Sequence, residues 1–530
     1  MPARRDVRHP ALVVVLALLA LGQAAFARAQ APPDLDALVA RAMTTFEVPG
    51  IGLAVVKDDQ VVVAKGYGVR KLGEPASADD RTLFGIASNT KVFTAVALGL
   101  LVDEGRIEWD APVARYLPWF QLWDPYVTRE LTVRDLVTHR AGLGLGEGDL
   151  MWWPPTSFSR AEIVRGIRWL KPASSLRSRY AYNNVMFVAA GQLLEAVAGR
   201  SWDAFVRERL LEPLGMKRTT TSLQEEDGDV AWPHLKLGGA LRPRAPFRFD
   251  NAAAAAGLNS SAGDMARWVG MLVECGNGKQ PQGGGSCLLK PDSIRRLWTV
   301  QQPQATPDPP AGFEALRANF AGYGLGFGLR DYRGRKIVSH TGGLPGYVSR
   351  VTLVPEERLG IAVLTNQETS GAFDSVVQQL LDAYLGAPRH DWPAAYAKRE
   401  ADERAKAEAE VKKAAAARDT ASRPSLPLAR YAGRYRDPWY GEAVVSLEGE
   451  RLELAMTRTP GMTAPLEHWQ HDTFVARWRE AFMGEDQPAD AYVSFALRPD
   501  AGIERMTLRA VSPAIDFSFD YQDLLFTPVP

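Results

Sequence analysis

Ser88 and Lys91 stand three residues apart in Phe84-Gly85-Ile86-Ala87-Ser88-Asn89-Thr90-Lys91, where small residues lead into a long apolar segment. On a helix, positions i and i+3 share a face, so the hydroxyl and the amine come within contact distance. An amine stripped of water beside a cation or an apolar wall loses its proton below its usual pKa and can then deprotonate a serine. Such a pair arises by chance roughly once or twice in a chain this long, so its meaning depends on two further motifs. Tyr182-Asn183-Asn184 precedes the apolar run 185–195, which contains Gly191 and reads as a buried helix. A tyrosine in that loop could relay protons, and Asn184 could hold a substrate amide. His340-Thr341-Gly342-Gly343 ends the strand-like stretch 336–339 and precedes a second strand at 347–354. Glycines at a strand end let a substrate approach the backbone and expose the N–H groups that an oxyanion needs.

In this order the three motifs resemble the serine β-lactamase and penicillin-binding-protein superfamily, with its Ser-x-x-Lys, Tyr/Ser-x-Asn and Lys/His-x-Gly set. Residues 105–118, 136–143 and 257–265 look like family segments too, and the resemblance spans about residues 33–388. Lys-x-Gly also occurs at 71–73 and 236–238, but only His340 lies between two strand-like runs. The resemblance implies that Ser88 forms an acyl-enzyme while Lys91 and Tyr182 share the proton traffic. It implies an oxyanion hole from the Ser88 and Gly343 N–H groups, with Asn184, His340, Thr341 and Gly342 lining the substrate site. Typical β-lactamases and many carboxypeptidases place lysine where this chain has His340. A histidine with an ordinary pKa near 6.5 is only partly charged at neutral pH and suits a substrate carboxylate less well. That resembles the D-aminopeptidase and esterase branches more closely, with weak β-lactam hydrolysis left open.

The elements that must position these residues follow from pattern. Strand pairs are expected at 51–56 with 60–66 and at 347–354 with 359–365, and mostly helical and loop segments over about 88–250. The expected fold is α+β or α/β: a β-lactamase-like antiparallel sheet flanked by helices, an α-rich subdomain, and a small C-terminal β barrel. The resemblance places the serine in the cleft between sheet and helical part. Trp119, Phe120, Trp123, Trp152 and Trp153 read equally as cleft rim for an apolar acyl group or as core. His139 reads as structural.

Residues 1–29 read as a cleaved signal peptide: Arg4, Arg5 and Arg8, an apolar run over 11–21, then Ala27-Arg28-Ala29. The run is short for a bilayer span. A periplasmic or secreted chain without stable membrane insertion is therefore expected. In an oxidising compartment Cys275 and Cys287 could staple the Gly-rich stretch between them, the alternative being two buried thiols. No Cys/His metal pattern is present, and no cofactor is expected. Acidic and basic residues balance at 62 each, which argues against a nucleic-acid partner and for a small molecule or short peptide.

At 530 residues more than one domain is expected. The hydrolase unit is assigned to 30–392, a charged Ala/Glu/Lys-rich linker to 393–424, and a lipocalin-like β domain to 425–530. Few contacts are expected to cross the linker, so a chain ending near 388 should fold alone. The linker carries opposite charges at helical spacing, such as Glu400 with Arg404 and Glu408 with Lys412. The 467–471 cluster with His468 and His471 reads as packing or surface. The C-terminal domain also offers a surface for a homo-oligomer. The expected function is an exported serine hydrolase acting on amide or ester bonds of D-amino-acid peptides, peptidoglycan fragments or small esters. The alternative is a non-catalytic ligand- or partner-binding protein on the same scaffold.

Overall fold

The structure is a computed structural model, and it describes residues 30–223, 228–279 and 287–530. The signal-peptide reading of 1–29 and the middle of the Gly-rich stretch lie outside the described residues. The first domain is built on an eight-stranded antiparallel sheet of β1 (Gly50–Lys57), β2 (Gln60–Gly68), β3 (Gln302–Gln304), β4 (Ala321–Tyr323), β5 (Gly328–Tyr332), β6 (Arg335–Leu344), β7 (Tyr347–Val354) and β8 (Leu359–Thr365). Its spatial order is β2-β1-β8-β7-β6-β5-β4-β3, so β1 crosses the chain to pair with β8, Ile51 opposite Thr365. Every residue of β1 and β8 is buried, because helices cover both faces, as continuous apolar strands require.

Period-two alternation sorts these strands between two cores. Ile51, Leu53 and Val55 face a layer formed by α1 (Leu35–Thr45) and α5 (Ser370–Tyr384). Ala54 and Val56 join the opposite core with Trp268 and Val269 of α4 (Ala262–Gly276). Between β2 and β3 lies the α-rich insertion, whose central helix α2 (Thr90–Asp103) is buried all round from Thr90 to Leu101. A helix without a polar face must be enclosed by others. The short helix Ala253–Ala256 and α3 (Val185–Ala198) pack on α2. Gly191 lets α3 lie close against the short helix, since a Cβ there would come within 2.6 Å of the Ala254 Cβ.

The segment assigned as linker is one helix over Trp392–Ala416, α6, whose first turn is fastened to the first domain. The Trp392 indole donates to Asp382 at 2.7 Å. Glu400 accepts from the Gly371 N–H and the Thr369 hydroxyl, both at 2.8 Å, while Arg404 reaches Asp486 of the second domain at 2.9 Å. Of the expected helical pairs, Glu408 with Lys412 is present at 3.8 Å.

The second domain is an antiparallel sheet of eight strands from Gly433–Asp437 to Thr527–Pro528. A bridge between Met506 and Phe526 brings its ends together into a nearly closed barrel. Its interior is filled by side chains such as Leu452, Leu454, Met456 and Val493. His468 is half-buried near the end of the strand Thr463–Gln470, and His471 lies in the exposed turn that follows; the His468 ring bonds the His471 carbonyl at 2.9 Å.

The two domains share one continuous apolar core. Trp153 meets Phe519 at 6.3 Å and Phe158 meets Tyr440 at 6.1 Å between ring centres. The expectation of few crossing contacts is therefore corrected. No helix among the described residues is long and apolar enough to cross a membrane. Cys275 and Cys287 form a disulfide, with Cα atoms 5.7 Å apart.

Candidate active site

Ser88 sits in the tight 3-10 turn Ala87–Asn89 that feeds α2, immediately after Ala87, whose φ is +50°. A positive φ at a residue with a Cβ is strained and persists only where its surroundings enforce it. Here β6 and β7 enforce it. The Ser349 hydroxyl donates to the Ile86 carbonyl at 2.7 Å, and the Asn89 amide donates to the Ser349 oxygen at 2.8 Å. Gly342 of β6 lies directly on the turn: a Cβ there would come within 2.3 Å of the Ile86 oxygen. The motif glycine thus permits the strand to approach the serine.

Lys91, the second residue of α2, is wholly buried, and its Nζ lies 2.9 Å from the Ser88 Oγ and 2.9 Å from the Ala255 carbonyl oxygen. Burial pushes its pKa from 10.5 down to about 7, against an opposing pull from the Asp149 carboxylate. Tyr182 brings its phenol to hydrogen-bonding contact with Ser88, and the Lys91 ammonium position lies 5.0 Å from its ring centre. Burial holds the Tyr182 pKa well above 10, so the group is a neutral phenol. The Gly146 N–H donates to the Tyr182 carbonyl at 2.9 Å and fixes its backbone.

Asn184 occupies the N-cap position of α3 but makes no side-chain cap bond. Its Nδ2 donates instead to the buried Asp149 carboxylate at 2.6 Å. A cap bond of about 1 kcal/mol is forgone, which marks the side chain as held for another purpose. Ser88, Lys91, Tyr182 and Asn184, drawn from two helix starts, thus converge as the motif order suggested.

The third motif is divided by strand alternation. Thr341 and Gly343 face outward, with no atom within 4 Å of where a Gly343 Cβ would stand, whereas His340 and Gly342 face inward. The His340 ring is buried, with Nε2 3.0 Å from the Tyr323 hydroxyl and Nδ1 2.6 Å from the Thr341 carbonyl oxygen. Burial, reinforced by Lys91, pushes its pKa down to about 3. The expectation of a partly charged imidazole near neutrality is overturned: the ring is neutral and buttresses the strand.

Three residues at the site are not assigned to it from the sequence: His139 reads as structural, and Asp149 and Phe517 are not singled out. His139 packs on the Tyr182 ring at 4.2 Å, and its Nδ1 accepts the Asn183 N–H at 3.0 Å. Asp149 lies in a Gly-rich loop, and Phe517 meets Tyr182 edge-on at 5.8 Å from the far end of the second domain. Of the aromatics assigned jointly to rim and core, Phe120, Trp152 and Trp153 are core, while Trp123 is 47% exposed.

Comparison with known proteins agrees with this geometry. The Beta-lactamase family profile matches residues 35–385, and a Domain of unknown function (DUF3471) matches residues 417–528. Unguisins hydrolase ungD' of Aspergillus campestris is 31% identical over 481 residues, covering 85% of this chain and 83% of its own length. Penicillin-binding protein 4 of Amycolatopsis lactamdurans is 28% identical over 356 residues, 65% of this chain and 87% of its own. Among solved structures, the octameric penicillin-binding protein homologue from Pyrococcus abyssi shares the fold, with TM-score 0.58 and 24% identity over 90% of this chain and 98% of its own. The chain belongs to the Beta-lactamase family and is a serine hydrolase carrying a C-terminal barrel.

Proposed function

We propose that this protein is an exported hydrolase that acylates Ser88 and cleaves amide or ester bonds in small molecules or short peptides. The observation that carries the reading is the buried Lys91 amine, 2.9 Å from the Ser88 Oγ with a pKa near 7. A neutral amine at that distance takes the serine proton as the oxygen attacks the substrate carbonyl. The Ser88 and Gly343 N–H groups receive the oxyanion. Tyr182, held as a phenol, acts as proton relay to the leaving group and not as the base, and water then resolves the acyl-enzyme.

Neutral His340 supports substrates without an essential carboxylate at that end of the cleft. An amide substrate is supported by the full-length likeness to a protein named as a hydrolase of unguisins. Export is supported by the sequence of residues 1–29 and by the Cys275–Cys287 disulfide. Assembly of several copies is suggested by the octameric relative.

The test is intact-mass spectrometry of the mature protein with a fluorophosphonate, beside turnover of D-Ala peptides, p-nitrophenyl esters and nitrocefin. One adduct on the wild type and none on Ser88→Ala is expected. An adduct that persists in Ser88→Ala refutes the assignment.

A further inference from the structure

Asp149 is a buried carboxylate that the acylation chemistry above does not use, and it collects donors from three places. The Trp152 indole of its own turn donates at 2.8 Å, Asn184 of the Tyr-x-Asn motif at 2.6 Å, and the Ser518 hydroxyl of the second domain at 2.9 Å. The turn that carries it is gripped from the same distant segment. The Asp520 carboxylate accepts the N–H of Gly148 at 2.6 Å and of Leu150 at 3.0 Å, one residue on either side. A carboxyl group with three donors and a clamped backbone has one orientation; burial raises its pKa from 3.8 to about 7, against the pull of those three donors and of Lys91.

Asn184 inherits that orientation. The amide nitrogen can be the atom facing Asp149 only if the carbonyl oxygen faces away, and that Oδ1 is buried without a protein partner. An acceptor left unpaired in a buried place is costly unless something fills the vacancy. Tyr182, two residues before Asn184, contacts Ser88, and a substrate or an intermediate held there can supply the missing donor.

We infer that Asp149 is a positioning residue of the acylation site, fixing Asn184 through its side chain, and that Ser518 and Asp520 of the C-terminal barrel hold Asp149 in place. The barrel is thus a structural part of the active site. The inference rests on Ser88 being the acylated residue. Asp149 also acts at longer range. It faces Lys91 and Tyr182 of the first domain and Asp520 of the second, and its negative charge favours the protonated form of Lys91. Asp516, beside Ser518, faces Tyr182 as well.

Two variants separate positioning from mere support of the fold, read as the rate of fluorophosphonate labelling of Ser88 against pH on the full chain. Asp149→Asn keeps an acceptor for Asn184 and deletes the charge, so Lys91 loses its proton more readily. The acid limb of the labelling profile is expected to move to lower pH, with the plateau lowered about tenfold. Ser518→Ala keeps the charge and removes one tether, and its plateau is expected to fall several-fold with the thermal melt retained. A limb that stays where the wild type has it, with both plateaus within about twofold of wild type, overturns the inference. If Asp149→Asn does not fold, the Ser518→Ala plateau decides alone, loss supporting and equality overturning. Absence of any Ser88 adduct on the wild type is a different result: it refutes the acyl-enzyme reading, and the inference falls with it.

Discussion

Replacing Lys91 with methionine should destroy labelling of Ser88 and at the same time stabilise the protein. The folded chain holds this amine with a pKa near 7 against 10.5 in water, and each pKa unit corresponds to about 1.4 kcal/mol. Keeping the amine neutral in the core at pH 7 therefore costs about 5 kcal/mol. Methionine fills a similar volume without that cost but leaves the Ala255 carbonyl, now bonded at 2.9 Å, without its donor. An orphaned buried acceptor returns about 1–3 kcal/mol of the gain. The net is about 2–4 kcal/mol, which in a domain of this size raises Tm by roughly 3–6 °C. The sign with pH is fixed by linkage. Between about 7 and 10.5 the unfolded chain binds the lysine proton and the folded chain does not, so wild-type stability rises with pH in that window. Thermal melts of wild type and Lys91→Met at pH 7 and pH 9.5 should show the advantage of the variant at pH 7 shrinking to almost nothing at the higher pH. A stability difference between variant and wild type that is the same at pH 7 and pH 9.5 would refute the claim that the site holds a desolvated amine.

Gly342→Ala would set a Cβ 2.3 Å from the Ile86 oxygen and 2.9 Å from the Ala87 Cβ. The strand must then retreat from the serine turn, and displacement of about 1 Å at reacting groups costs about 10²-fold; unchanged fluorophosphonate labelling would show that the contact does not set the geometry. The ratio of kcat/KM for a carboxylate substrate to that for a neutral ester should show no inflection near pH 6.5, because the His340 pKa is pushed down to about 3. An inflection there would restore His340 as a charge reader. A chain ending near residue 388 should be insoluble or lack a cooperative melt, since it strips the acceptor from the Gly148 and Leu150 N–H groups and exposes Trp153. A soluble fragment with a sharp melt would show that the first domain stands alone.

Motif order and spacing made Ser88, Lys91, Tyr182 and Asn184 legible, because a hydroxyl and an amine one turn apart can interact in few ways. The strand pairs around residues 51–66 and 347–365 were legible too, since buried strands leave continuous apolar runs. His340 was misjudged for a reason the sequence does not carry. Its charge depends on which face of β6 it occupies, and the strand is buried on one face and open on the other. Asp149 and Ser518 were invisible for another reason: they are 369 residues apart and meet only in the folded chain. The charged segment 393–424 resembled a spacer because most of its charges face solvent. Its attachment rests on Trp392 and Glu400, whose partners lie on α5 and its approach.

That separation of 369 residues also sets the order of events during synthesis. At a ribosomal pace of about 5–20 residues per second, Ser518 follows Asp149 by roughly 20–70 s. Through that interval the nascent chain carries the serine, lysine and tyrosine but not the clamp that orders the loop around Asp149. A hydrolase built this way ripens last at its reactive centre.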